Sequence, residues 1–170
     1  MNAKQPVNAT DGDKELYRFY WLYERDLEHA KRMCELLGRR YSGELRESIV
    51  RDIVTAYSRP FSGNKGRIVK RHRLDEDVVP PPMKSLHDEL IDVRNRAFAH
   101  TDQDFFQPHL LSFPATDGGD VHAIMLTVPQ YRKLFARRQQ IMHLIAAVVG
   151  QVRHRREDLE RTYGDISLNA

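Results

Sequence analysis

Residues 16–37 read LYRFYWLYERDLEHAKRMCELL. Apolar side chains recur at Leu16, Tyr20, Tyr23, Leu27, Ala30, Cys34 and Leu37, in alternating steps of four and three residues. That rhythm keeps one side of a 3.6-residue helix apolar, whereas a strand needs steps of two. Phe19 and Met33 widen the stripe. The spacing predicts a helix of about 25 residues with one buried seam, ended by Gly38 or by Arg39-Arg40-Tyr41. The polar residues 1–12 ahead of it, and 164–170 at the other end, are expected to fray.

Working outward from that helix, Ser42 is expected to cap a second one, with Leu45, Ile49, Ile53 and Ala56/Tyr57 facing inward and Pro60 stopping it. Helices joined by so short a turn are expected to lie antiparallel. From Phe61 to Pro82 the periodicity disappears: SGNKGRIVKRHRLDEDVVPPP holds turn residues, five Lys/Arg, an acidic triplet and three consecutive prolines, which predicts a mobile basic loop. A third helix begins between Met83 and Ser85 and turns Leu86, Leu90, Val93 and Ala97 inward. Between Thr101 and Leu126, HLLSF and VHAIML flank PATDGGD, a pattern that fits a short loop or a β-hairpin insert. Thr127-Val-Pro-Gln130 is a capping box with Pro in the first turn, so the last helix is expected to run from there to the region of Tyr163. Its IMHLIAAVVGQV stretch is apolar nearly all round, which predicts a central position or a subunit interface. The expected fold class is all-α: one domain over 1–170, an antiparallel four-helix bundle with a basic loop between helices 2 and 3 and the insert before the last helix.

Composition narrows the class. A chain of 170 residues suits one domain with a full core. Its 41% apolar and 30% charged residues exclude global disorder. The net charge is +3, yet 20 of the 27 basic residues are Arg, whose planar fork suits phosphate and carboxylate partners. Cys34 is the only cysteine; it excludes a disulfide framework within the chain and fits a reducing compartment, so a cytoplasmic location is expected. No apolar leader opens the sequence, and the longest apolar run, Ile141–Gly150, is far below the ~18 residues of a membrane span, so no membrane partner is expected.

Several chemical signatures fail. GNKG at 63–66 lacks the Lys-Ser/Thr step and the preceding strand of a phosphate loop. Cys34 lies in the apolar seam and reads as a buried structural thiol. Asp102/Asp104 and Asp117/Asp120 read as turn formers, so no metal is expected. Lys65, Arg67, Lys70, Arg71 and Arg73 crowd into nine residues and either hold a phosphate backbone or stay solvated beside Asp75-Glu76-Asp77. Arg153-His-Arg-Arg156 reads as a cationic end of the last helix, offsetting its dipole.

One candidate remains: DVRNRAFAHTD, residues 92–102, at the end of the third helix. An Arg and a His with four to six residues between them prove nothing by spacing, because Arg67/His72, Arg137/His143 and Arg138/His143 also qualify. Arg94/His100 differs in carrying Asn95 and in standing just before a helix exit. At about 100° per residue, Arg94 falls about 70° to one side of the Leu86-Leu90-Val93-Ala97 seam and His100 about 50° to the other, about 9 Å apart along the axis. They flank the packed face without converging. A bland reading also fits: Arg94 pairs with Asp88 or Glu89, Asp92 with Arg96, and His100 caps the helix.

Arg, Asn, four more residues and then His at the end of the third of four helices resembles the HEPN superfamily, and the ending Ala99 to Asp102 is similar to its abortive-infection members. The resemblance covers the helical order of most of the chain and the few residues of the motif. It implies an endoribonuclease of a toxin-antitoxin or phage-defence system, with an antitoxin or other neutralising protein as a possible partner class. It also implies cleavage by attack of the RNA 2′-oxygen, leaving a 2′,3′-cyclic phosphate. Two copies related by a two-fold axis would place two His and two Arg in one groove, and no metal or cofactor is then required. In that expectation Arg94 holds the phosphate, His100 moves protons, Asn95 positions one of them or the RNA, Asp102 orients His100, and Lys65–Arg73 tracks the RNA backbone. The superfamily also holds inactive members, so a non-catalytic helical dimer that binds RNA or a partner protein is the alternative.

Overall fold

The computed structural model describes residues 8–41, 43–100, 102–116, 118–126 and 130–164. The chain is mostly helical, with one two-stranded antiparallel sheet.

Helix α1 spans Asp11–Leu37. It starts five residues before the first seam residue because Thr10 and Asp13 cap it reciprocally: Thr10 Oγ1 accepts from the Asp13 N–H at 3.2 Å, and the Asp13 carboxylate accepts from the Thr10 N–H at 3.0 Å. Asp11 and Gly12, expected to fray, are therefore helical. Tyr23, Leu27, Ala30, Cys34 and Leu37 are buried as the seam requires, while Leu16 and Tyr20 are only partly covered. Helix α2, Gly43–Ser58, buries Ile49, Val50, Ile53, Val54, Ala56 and Tyr57. Leu45, expected on the inner face, is 45% exposed because α2 meets the core only from its second turn. The expected cap Ser42 lies outside the described residues.

Residues 61–82 form an anchored excursion rather than a free loop. Asn64 and His72 exchange backbone hydrogen bonds at 2.7 and 2.8 Å, the Leu74 N–H donates to the Pro60 carbonyl at 2.7 Å, and Leu74, Val78 and Val79 are buried. Two 3-10 turns, Glu76–Val78 and Pro81–Met83, lead into helix α3, Lys84–Val93, which continues as a π-helical segment, Arg94–Ala99. A short helix α4, Gln103–Phe106, precedes the hairpin of β1, Pro108–Pro114, and β2, Asp120–Leu126, paired from Pro108↔Leu126 to Pro114↔Asp120. The hairpin projects: Leu110, Phe113, Val121, Ile124 and Met125 are each at least half exposed.

Helix α5 spans Arg138–Tyr163. It does not run unbroken from the capping box: Thr127 to Pro129 lie outside the described residues, Gln130–Phe135 is 3-10, and a turn at Ala136–Arg137 separates the two. The break lets Leu134 reach full burial and leaves Arg137 free to bond Glu89 of α3. Within IMHLIAAVVGQV the burial is one-sided: Ile141, Leu144, Ile145, Val148, Val149 and Val152 face the core, while His143, Ala146 and Gly150 lie away from it. Helix α1 packs on α2 and α5, and α3 touches both α2 and α5, around one core cluster. Among the described residues no helix is long and apolar enough to cross a membrane.

Candidate functional site

The third helix changes its winding where the motif begins. The π-helical segment runs from Arg94 to Ala99, and the chain leaves it at His100 in an extended conformation, φ −132° and ψ 157°. A π-turn holds one residue more than an α-turn, so the residues beyond it are rotated by about 100° from their α-helical direction. Packing supplies the reason. Ala97 is buried and its neighbour Phe98 also packs against the core cluster, with the Arg51 guanidinium of α2 5.3 Å from the Phe98 ring centre. Consecutive positions of an α-helix diverge by about 100°, and the wider turn brings both toward α2. Its consequence is that His100, placed by α-helical phasing at the border of the packed face, is instead exposed.

Arg94 and Asn95 are joined, Arg94 Nη1 donating to Asn95 Oδ1 at 2.9 Å. Neither acid of the preceding turn holds Arg94: Asp88 pairs with Lys84 at 3.1 Å, and Glu89 accepts from Arg137. The His100 side chain makes no hydrogen bond with a described residue. The two expected proton-handling and phosphate-holding groups thus stand on one short segment, and within one chain no hydrogen bond connects them.

Asp102 is hydrogen-bonded to Arg96 and not to His100. Its Oδ2 accepts from Arg96 Nε at 2.7 Å and its Oδ1 from the Phe105 N–H at 3.1 Å, while its own N–H donates to the Arg96 carbonyl at 3.2 Å. The Arg96 bond, against a smaller opposing effect of burial, keeps the Asp102 carboxyl below the usual carboxylate range. Arg96 also pairs with Asp92 at 3.7 Å and lies over Phe105 at 5.1 Å. Asp102 therefore staples the helix exit, fixing the turn that carries His100 from behind.

Lys65, Arg67, Lys70, Arg71 and Arg73 are exposed, and none makes an ion pair with a described residue. What shapes their loop is Glu15 of α1, 6% exposed. Its carboxylate accepts from the backbone N–H groups of Arg67 at 2.6 Å, Ile68 at 3.0 Å and Val69 at 2.9 Å, and from His72 Nε2 at 2.8 Å. Burial pushes the Glu15 carboxyl up, but the bonds from Val69, His72, Ile68 and Arg67 together outweigh it and hold the group at about 2. Gly66 makes room: a Cβ there would collide with Glu15 Oε1 and the Val69 carbonyl. Sequence reading missed Glu15, because a charged residue beside the seam looks like any solvated helix position. Gly66 ahead of three consecutive amides was the only hint.

Other groups are structural. Cys34 is buried, and burial pushes its thiol up to about 12. His87, 1% exposed, meets the Tyr57 hydroxyl through Nδ1 at 2.8 Å, and its Nε2 has no partner. Glu76, His87 and Asp88 bring one ligand atom each within 4.8 Å of one another, but the Lys84 ammonium already bonds both carboxylates. Arg153 and Arg155 do not serve the end of α5, which continues for two further turns; they tie it to Glu24 and Asp77 at 2.6 Å each.

No family model matches this chain, and neither a curated protein nor a solved structure does.

Proposed function

We propose that this chain is a cytoplasmic, homodimeric, metal-independent endoribonuclease of HEPN type, acting in phage defence or as a toxin, with its four long helices forming an antiparallel bundle. The observation that carries the reading is the π-helical segment Arg94–Ala99. Such turns are rare and often stand at functional sites, and this one begins with a hydrogen-bonded Arg-Asn pair and delivers an exposed His. An imidazole moves protons near neutral pH, and a guanidinium holds phosphate oxygens with two donors.

In the reaction, the His100 of one copy takes the 2′-hydroxyl proton as that oxygen attacks the phosphorus. The partner copy's imidazole gives a proton to the departing 5′-oxygen, and the two Arg94 guanidinium groups stabilise the charge growing on the phosphoryl oxygens. The products are a 2′,3′-cyclic phosphate and a free 5′-hydroxyl. The second copy is needed because the reaction uses both a base and an acid, and the motif supplies one imidazole per chain. The exposed apolar hairpin, which comes only a few residues after the motif, supplies a surface for self-association. Lys65, Arg67, Lys70, Arg71 and Arg73 contact the RNA backbone.

The second reading is a non-catalytic helical dimer that binds RNA or a partner protein such as an antitoxin. The absence of a hydrogen bond from the His100 imidazole to the Arg94 or Asn95 side chain favours it. The test is incubation of purified wild-type and His100→Ala protein with mixed RNA in the presence of a chelator, followed by analysis of the ends. Cleavage to cyclic phosphate ends, slowed roughly 10²- to 10⁴-fold in the variant, is the expected result. Equal cleavage by both proteins removes the assignment.

A further inference from the structure

The Glu15 tether lays the basic loop on the N-terminal half of α1, and a cleft results that neither segment forms alone. Lys65 and Arg67 of the loop meet Arg18 of α1 around about 420 Å³ of space, with Phe19 and Leu22 beside them. Arg18 and Arg67 also wall a second cleft of about 330 Å³ toward Lys14. From Asp11 to Leu22 the helix advances about 16 Å, so the two clefts, sharing these arginines, line one groove along α1.

The charge balance in this groove is positive. Asp11 is paired with Lys14 at 3.7 Å, and the Glu15 carboxylate is taken up by loop amides and His72. Arg18, Lys65 and Arg67 make no ion pair with a described residue. Three cations without an ion-pair partner, set against the single Glu15 carboxylate, leave a net positive potential on concave walls that solvent screens less than on a flat surface. Beyond them, Leu22 borders a further cleft with Trp21, Arg25 and two glutamates, Glu24 and Glu28, both paired with Arg153; Trp21 is 46% exposed and carries the Arg156 guanidinium 3.9 Å from its ring centre. Cations in line with an aromatic plane match successive phosphates followed by a base, the arrangement by which proteins hold single strands.

The geometry points to a single-stranded RNA subsite along α1, with Arg18, Lys65 and Arg67 on the phosphates and Trp21 receiving a base. The choice of RNA as the phosphate-bearing ligand rests on the ribonuclease reading; the groove itself uses none of Arg94, Asn95 or His100. Arg18 and Trp21 enter as binding residues that spacing in the sequence did not single out.

The experiment uses the full chain carrying His100→Ala, so that binding is read without cleavage and does not depend on the catalytic assignment. A short labelled oligouridylate is titrated by anisotropy across a series of KCl concentrations, with Trp21, the only tryptophan in the chain, as an internal fluorescent reporter. Each cation lost should flatten the slope of log affinity against log salt by about 0.7, so Arg18→Ala loses about 0.7 and Arg18→Ala/Lys65→Ala/Arg67→Ala about 2. Arg18→Lys should keep the parent slope. Quenching of Trp21 by the oligonucleotide should vanish in the triple variant. An unchanged slope in the triple variant overturns the subsite, and so does a loss in Arg18→Lys as large as in Arg18→Ala. Competition by AMP or inorganic phosphate at the same phosphate concentration overturns the strand in favour of a small anion.

Discussion

Replacing Glu15 with Gln isolates the contact that ties the basic loop to α1. The substitution keeps the size of the side chain and removes the charge that accepts from the N–H groups of Arg67, Ile68 and Val69 and from His72 Nε2. The size of the effect comes from the titration of the same carboxyl. A group that ordinarily titrates at 4.5 and is held at about 2 resists protonation in the folded protein by two to three powers of ten. By linkage, the uncharged form favours the closed loop less by roughly that factor. The folded value is depressed, so the contribution is complete above pH 4.5 and is lost as the pH falls from there to about 2. The assay is amide hydrogen exchange near neutral pH, read at Arg67, Ile68 and Val69. Protection of these amides should fall by up to roughly 10²-fold in Glu15→Gln, while that of Leu27 and Leu144 in the core stays put. Wild-type protein brought from pH 5 to pH 3 should lose protection at the same three amides. Equal protection in variant and parent would refute the claim that the carboxylate holds the loop.

Three further outcomes are expected. Tyr57→Phe leaves buried His87 with no partner on either ring nitrogen, a cost of about 1–3 kcal/mol; thermal unfolding should show a fall of about 2–10 °C, and adding His87→Leu should recover most of it. Burial lowers the His87 pKa from its ordinary 6.5, so the unfolded chain takes up a proton first and stability falls as the pH drops below 6.5, by at most about 1.4 kcal/mol per pH unit; urea unfolding at two pH values should show this slope, and His87→Gln should remove it. Replacing Leu110, Phe113, Val121, Ile124 and Met125 with Thr leaves the helical core contacts intact, so far-ultraviolet circular dichroism should hold while sedimentation reports a lower dimer population; an unchanged distribution would take the hairpin out of the interface.

The helices were legible because their signals are local. The 4-3 spacing from Tyr23 to Leu37, the stop at Pro60, the Leu86-Leu90-Val93 seam and the strand-turn-strand composition of residues 108–126 each depend on neighbours within a turn or two of chain. The start of α1 has a local signal too, since Thr10-Asp-Gly-Asp13 is a capping box with Asp in the usual Glu position. Leu45 was misread because periodicity reports which residues share a face, not how far along that face the core extends.

The amino-acid sequence by itself determined that this chain is helical, carries a loop or hairpin insert before its last helix, and places Arg94, Asn95 and His100 near a helix exit. Only the tertiary structure decided where those side chains point. Ala97 and Phe98 both seek α2, and satisfying them widens a turn and swings His100 out by an angle that α-helical phasing cannot anticipate. Asp102 likewise went to Arg96 because that guanidinium lay within reach across the turn. The loop cations gained a defined place for the same kind of reason, since a carboxylate 52 residues away found three amides aligned to receive it. Backbone preferences act between neighbours in sequence, whereas hydrogen bonds and packing act between neighbours in space, and the second set exists only once the chain has folded.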